Sequence, residues 1–328
     1  MIPALERFAG NPIVTPSQIP FIAASGAFNP GATIDRTTGK VVLLVRVFEA
    51  EEKRSCLGLA LSTDGEHIDE IWSRPAVERD ATYEELGVED ARITYLEEDE
   101  IYAITYTGYS SAGPRVCLIT TDNLLAPERY RRHGPRLSGE NKNCVIFPRR
   151  IDGSYVILHR PMPKIELIKV KALEDLWPAQ GVPLVGPRPN SWRSSRVGAG
   201  APPIETDLGW LFPFHGATEI AEGNVYSMGW CVLDPATPEK VLYVSEEPAL
   251  KPETGYEIEM NPIPQVDMAN FITGVRVVFP QGLVQVGEDL LLYYGAADVN
   301  VGGARVNKSA LVNALRTEIQ FGRTAPPL

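Results

Sequence analysis

An all-β fold, a five-bladed β-propeller with a short C-terminal helical extension, is what this 328-residue chain predicts. Three observations carry the expectation: short β-branched and aromatic runs, their recurrence along the chain, and a surplus of turn-forming residues. The runs are KVVLLVRV (40–47), EIYAITYT (100–107), SYVILHR (154–160), GWLFPFHG (209–216) and DLLLYYG (289–295). Their turns, TTGK, LEEDE, IDGS, TDLG and VGED, are polar, and all but one contain the Gly that tight hairpins favour. Aligned at Val41, Ile101, Tyr155, Trp210 and Leu290, the runs are separated by 60, 54, 55 and 80 residues. A multi-stranded unit recurring at that period points to a radial array. Gly and Pro number 28 each, above the average share of about 12% for the pair, so many short elements are expected. Helical periodicity is confined to Ser309–Ile319 and short pieces such as Val170–Leu176. Two β-sandwich domains are the alternative, but no linker-like break divides the chain. Residues 1–328 therefore read as one domain, with a tail from about 305 to 328 packing on it.

Charge and composition narrow the function. Lys and Arg total 31 against 42 Asp and Glu, a net charge of −11, with 44% hydrophobic and 22% charged residues. The balance is globular, and an acidic surface repels the phosphate backbone of nucleic acids. No window approaches the ~18 apolar residues of a membrane helix. The start, MIPALERFAGNP, has neither the basic nor the apolar segment of a signal peptide. Cys56, Cys117, Cys144 and Cys231 sit singly in apolar runs, so neither disulfides nor structural zinc are expected. The expectation is a cytoplasmic protein with no membrane, nucleic-acid or metal partner. Homo-oligomerisation stays open.

The repeat also aligns chemistry. Five residues beyond the anchors stand Arg46, Tyr106, Arg160, His215 and Gly295. Twelve before them stand Asn29, Glu89, Asn143, Gly198 and Val278, with Asp90 beside Glu89. Equivalent positions of a radial array lie on a ring, so these residues are expected to converge on a polar pocket at the mouth of a central channel. Arg46, Arg160, Arg196 and Lys142 would repel one another there. Asp90 and Asp298 offset only part of that charge, and a small anion such as phosphate completes it. Other schemes lack their motifs: there is no GxSxG, HExxH or GxxxxGK[ST]. RVGAGAPP (196–203) runs into prolines, not into the helix of a dinucleotide site. His67, His133, His159 and His215 have no metal-ligand spacing; His67 and His133 are expected to be solvated, and His159 to be structural on the face opposite Arg160.

Ten ordered motifs then carry a resemblance. FNPGA (28–32), LLVRV (43–47), VEDARIT (88–94), KNCVIFP (142–148), LHRP (158–161), RVGAGAPPIET (196–206), GWLFPFHG (209–216), YSMG (226–229), VVFPQG (277–282) and YYGAAD (293–298) resemble glycoside hydrolase family 130. Most members are mannoside phosphorylases on a five-bladed β-propeller, and the similarity runs from about Asn11 to Asp298. It implies an inverting phosphorylase that cleaves a β-1,4- or β-1,2-mannosidic bond with inorganic phosphate, giving α-mannose 1-phosphate and a shortened sugar. Phosphate is then a co-substrate and no cofactor is needed; the partners are a small oligosaccharide and phosphate. Asp90 corresponds to the proton donor, thought in this family to act through a sugar hydroxyl. Asn29, Arg46 and Asp298 correspond to sugar contacts. Lys142, Asn143, Arg160, Arg196, His215 and Tyr226 correspond to the phosphate cradle.

The chain departs from the family pattern at four places. Ala91 replaces a common Pro, Lys142 a common Arg, Arg196 a common Lys, and Ser227 a frequent Arg. The stretch between Glu257 and Gly274 is longer than usual, which accounts for the 80-residue repeat. Two rivals stand beside phosphorolysis. A hydrolase of the same family would need a base to activate water, with Glu219 and Glu222 as candidates. A non-catalytic carbohydrate-binding propeller would need neither a buried acid nor a phosphate cradle.

Overall fold

The computed structural model describes residues 1–258, 274–324 and 326–328. The protein is all-β. Its strands form antiparallel ladders that succeed one another along the chain. Gly26–Ile34, Val41–Glu49 and Arg54–Ser62 pair in order, edged by Glu70–Ile71. Gly87–Leu96, Ile101–Ser110, Gly113–Thr121 and Arg131–Pro135 repeat the pattern. So do Lys142–Ile146, Tyr155–Arg160, Ile165–Val170 and Val182–Val185. Next come Arg196–Ala199, Gly209–Ile220, Gly223–Leu233 and Val241–Val244, with Ile204–Thr206 also on the second strand. In the last ladder, Gly274–Val286, Asp289–Ala296 and Asn300–Asn307 take Glu6–Arg7 from the N-terminus as their edge. Each sequence anchor falls at or next to the start of a ladder's second strand.

Apolar layers fill the spaces between consecutive ladders. Leu57, Leu59, Ile93 and Ile104 pack together between the first two, and Ile146, Ile157 and Leu118 between the next. The last layer returns to the first ladder, joining Leu291, Tyr293 and Val301 to Leu43, Val45 and Val47. A strand covered on both faces is apolar at successive positions, which is why Val41–Val45 are all buried and the run lacks polar alternation. Each fully buried Val or Leu contributes about 1.5–3 kcal/mol.

The first strand of three ladders breaks at the same place. The register shifts between Phe28 and Gly31, between Glu89 and Arg92, and between Lys142 and Val145. Inside those bulges Asn29, Asp90 and Asn143 take left-handed φ of 47°, 52° and 54°. Asn and Asp tolerate this region better than other side-chain-bearing residues, and a bulge re-aims the side chain it carries. The same residues that could do chemistry are thus the ones the backbone accepts there. Two of the bulges touch: a Cβ on Gly31 would lie 2.3 Å from the Ala91 carbonyl oxygen, so only glycine permits the approach. Gln281, fully buried in the last ladder, donates from Nε2 to the carbonyls of Asn29 (2.6 Å) and Ala91 (2.9 Å).

Two expectations are adjusted. Ile165–Val170 is a strand and no helix follows over Val170–Leu176; seven residues are too few to repay helix nucleation, and Leu173 packs with Trp177 instead. Tyr106 does not join the ring. Phe28 pairs with Arg46 and Glu89 with Thr107, so Thr107 is the counterpart of Arg46, and the alignment at Ile101 was one residue out of register. A one-residue slip turns a side chain to the other face; the Tyr106 hydroxyl donates to buried Glu84 at 2.6 Å. The C-terminal helix, Lys308–Gln320, covers the helical periodicity of Ser309–Ile319 and is capped by Asn307, whose Oδ1 accepts from the Ala310 N–H. Its Leu311 and Leu315 enter an apolar layer. Within the stretch from Glu257 to Gly274, residues 259–273 lie outside the described residues.

Replacement of Gly31 by Ala is expected to force the first two bulges apart and destabilise the protein by about 1–3 kcal/mol, read as a lower denaturation midpoint in urea; an unchanged midpoint would contradict the close approach.

Candidate active site

The bulges aim Asn29 and Asp90 at each other. Asn29 Nδ2 donates to Asp90 Oδ1 at 3.0 Å, and Arg46 Nη1 donates to the same oxygen at 3.3 Å. Arg46 Nη2 donates to Glu89 Oε1 at 2.7 Å, while Lys142 Nζ reaches Glu89 Oε2 at 3.2 Å. Arg46 lies over the Phe28 ring, 4.9 Å from its centre. Arg92 Nη1 donates to the Asp90 carbonyl at 2.7 Å and its Nε to the Gly200 carbonyl at 3.2 Å, fixing the bulge from behind. Asn29, Arg46, Glu89, Asp90 and Arg92 are all at least 95% buried. Burial alone would raise the Asp90 pKa. The charges of Arg46, Arg92 and Lys142, with the Asn29 bond, overcome it and hold the carboxyl below its ordinary value. Arg46 is raised: burial opposes its charge, but Glu89, Asp90 and Asp298 outweigh that.

A second group gathers cations without matching acids. Arg160 pairs across the ladder with Lys142, and His215 with Gly198. Arg160 Nη1 donates to His215 Nε2 at 3.4 Å. His215 stacks on Phe279 with ring centres 4.3 Å apart. Arg196 donates to the Tyr226 hydroxyl from Nη2 (2.7 Å) and Nε (3.2 Å). A Cβ on Gly198 would lie 2.4 Å from His215 Cε1 and 2.9 Å from Asn143 Oδ1, so this glycine lets the imidazole and amide sit over the strand. Burial, then the charges of Arg196 and Arg92, lower Arg160 to about 10. Burial, then Arg160, Arg92 and Arg196, push His215 well below its ordinary value, so it is neutral at pH 7. Arg160 Nε, Arg92 Nη2, His215 Nδ1 and Asn143 Oδ1 are buried without a hydrogen-bond partner among the described residues. Buried polar atoms in that condition are costly, and all but the amide oxygen can donate to an anion.

The structure therefore brings Asn29, Arg46 and Asp90 together, with the charge of Asp298 acting on Arg46. It brings Arg160 to His215 and Arg196 to Tyr226, with Asn143 beside His215. Lys142 sits apart from the second group, ion-paired to Glu89. Glu219 and Glu222 are exposed, at the end of the strand that carries His215 and in the turn beyond it. His159 is buried beside Asn141, with its pKa lowered to about 4 by burial. His67 is exposed on Asp64, whereas half-buried His133 bonds Thr120 rather than being fully solvated. The cysteines are free. Sequence reading left Glu89, Arg92 and Gln281 without roles. Glu89 was marked by the repeat, whereas Arg92 and Gln281 act on main-chain carbonyls, for which a sequence carries no signal. Among the described residues no group of three or more His, Cys, Asp or Glu is placed to hold a metal, and no helix is long and apolar enough to cross a membrane.

Comparison with known proteins gives the family. The family model for glycoside hydrolase family 130, described as beta-1,4-mannooligosaccharide phosphorylase, matches residues 6–317. A 1,2-beta-oligomannan phosphorylase of Thermoanaerobacter sp. (strain X514) is 33% identical, over 92% of this chain and 96% of its own length. A beta-1,2-mannobiose phosphorylase of Listeria innocua serovar 6a is 34% identical, over 80% of this chain and 70% of its own. The structure of the beta-1,2-mannobiose phosphorylase from Listeria innocua, in complex with β-1,2-mannobiose, superposes with a TM-score of 0.82 at 28% identity, covering 96% of this chain and 99% of that one. The chain belongs to glycoside hydrolase family 130.

Proposed function

We propose that this enzyme is an inverting mannoside phosphorylase acting on β-1,2-mannosyl bonds, built as one five-bladed propeller spanning 1–328. The single observation that carries the chemistry is a buried carboxyl beside a group of arginines that lacks its own counter-ions. The propeller reading is supported by the succession of ladders and by the apolar layer joining last to first. The β-1,2 linkage is supported by the names of the relatives above. A cytoplasmic location is part of the same reading.

Inversion needs an acid for the leaving oxygen and a nucleophile on the opposite face of the sugar. Asp90 is the proton donor, with Asn29, Arg46 and Asp298 orienting the mannosyl unit around it. Arg160, Arg196, His215, Asn143 and Tyr226 hold phosphate, while Lys142, ion-paired to Glu89, stands on the Asp90 side. Phosphate is already anionic, so orientation by cations takes the place of a general base. Neutral His215 suits that task as a donor, since its Nε2 already accepts from Arg160. A hydrolase would need a base: Glu219 and Glu222 are exposed, and Glu89 is held between Arg46 and Lys142. Asp90 carries a further requirement. An acid must hold its proton, yet the cations around it keep its pKa low. A phosphate dianion among those arginines offsets their field and raises Asp90, so the nucleophile readies the acid.

Three outcomes are expected. Asp90→Asn lowers phosphorolysis of β-1,2-mannobiose at saturating substrate by about 10²–10⁴-fold; retention of most of the rate would remove Asp90 from its role. Arg160→Ala raises the KM for phosphate by about 10–100-fold, the loss of a charged hydrogen bond, and sugar release at equal speed without phosphate would sink phosphorolysis altogether. The alkaline limb of the kcat/KM profile for the mannoside moves to higher pH as phosphate rises from limiting to saturating, because deprotonation of Asp90 ends activity at the high-pH side; a limb independent of phosphate would separate the two groups.

A further inference from the structure

We infer that the protein carries a second saccharide-binding cleft, built around Trp192 on the far side of the strands that bear the phosphate cradle, and that its ligand is a neutral oligosaccharide. The connection between Val182–Val185 and Arg196–Ala199 crosses the Gly209–Ile220 and Gly223–Leu233 pair. Trp192 lies flat on it because two glycines make room: a Cβ on Gly216 would sit 2.6 Å from Trp192 Cζ3, and one on Gly229 2.8 Å from Cη2. Phe214 supports the indole at 5.3 Å between ring centres, and Nε1 donates to the Glu246 carbonyl at 2.9 Å. The ring is therefore held in one place, half-buried, on the wall of a cavity of about 870 Å³.

Beside Pro189 and Val225, the rest of the wall is polar. Ser194 Oγ donates to Thr218 Oγ1 at 3.2 Å and Thr218 Oγ1 to the Ser191 carbonyl at 3.0 Å, setting two hydroxyls side by side. Ser227 and the exposed carboxylates of Glu246 and Glu247 complete it. Arg188, the cation of this wall, pairs with Glu246 at 3.5 Å, so the cleft keeps an excess of negative charge. An anion is repelled there, whereas a polyol offers hydroxyls to the carboxylates and a C–H face to the indole. The volume falls within the range of small-molecule sites. Tyr226 and Ser227 are neighbours in one strand and face opposite ways, so the cleft and the phosphate cradle stand back to back, and occupancy of one leaves the other open.

Calorimetric titration with β-1,2-mannotetraose in phosphate-free buffer tests the cleft. The unmodified chain is expected to bind two molecules. Trp192→Ala is expected to weaken one of them by at least about tenfold, with phosphorolysis of β-1,2-mannobiose kept within about twofold. Glu247→Ala, at an exposed position that the core does not need, should weaken the same site and guards against misfolding of the tryptophan variant. The absence of any site that Glu247→Ala and folded Trp192→Ala weaken would overturn the inference. Should the protein not phosphorolyse mannosides, the titration still reads the cleft, so the two readings fail separately.

Discussion

The left-handed bulge near the start of a ladder is the constraint on which the rest of the molecule depends. A regular strand sends alternate side chains to opposite faces, and in this fold both faces are covered by apolar layers. Where that alternation breaks, a polar side chain is re-aimed away from those layers. Asn29, Asp90 and Asn143 stand at such breaks, each with positive φ. Such a conformation costs of order 1–3 kcal/mol per residue, and surrounding groups hold it: Gln281 on two carbonyls, Arg92 on a third, and Gly31 yielding space to Ala91. Strain and chemistry share the same residues.

Charge is divided between two groups within the site. Around Asp90 each carboxylate faces a cation: Glu89 holds Arg46 and Lys142, and Arg46 also reaches Asp90. Around Arg160 the balance fails, and three guanidinium groups depress a histidine that burial has already made neutral. Buried like charges are tolerable only if something shares them. The net charge of −11 belongs to the exterior; the interior of the site runs against it.

How much of this was legible in the chain depends on what each residue contacts. Arg160, His215, Asn29 and Asn143 were found by repeat arithmetic because strand pairing converts equal offsets into equal positions. Tyr106 was misplaced for the same reason, since a single-residue error in the anchor inverts the face. Arg92 and Gln281 were passed over because their partners are main-chain carbonyls of a bulge, and no pattern of side chains announces those. The family resemblance assigns Lys142 to the cradle, and its side chain is paired with Glu89.

By itself the sequence determined the strand-rich class, the period of the units, the absence of paired cysteines and the inventory of acid and cations, because apolar runs, turn residues and spacing are local properties. Only the tertiary structure decided register, which cation answers which carboxylate, and which histidine loses its proton. Those outcomes follow from burial and from contacts between residues many positions apart, such as Asn29 with Asp90 and Arg160 with His215. Distance in space, not spacing in the chain, sets the field that each titrating group feels.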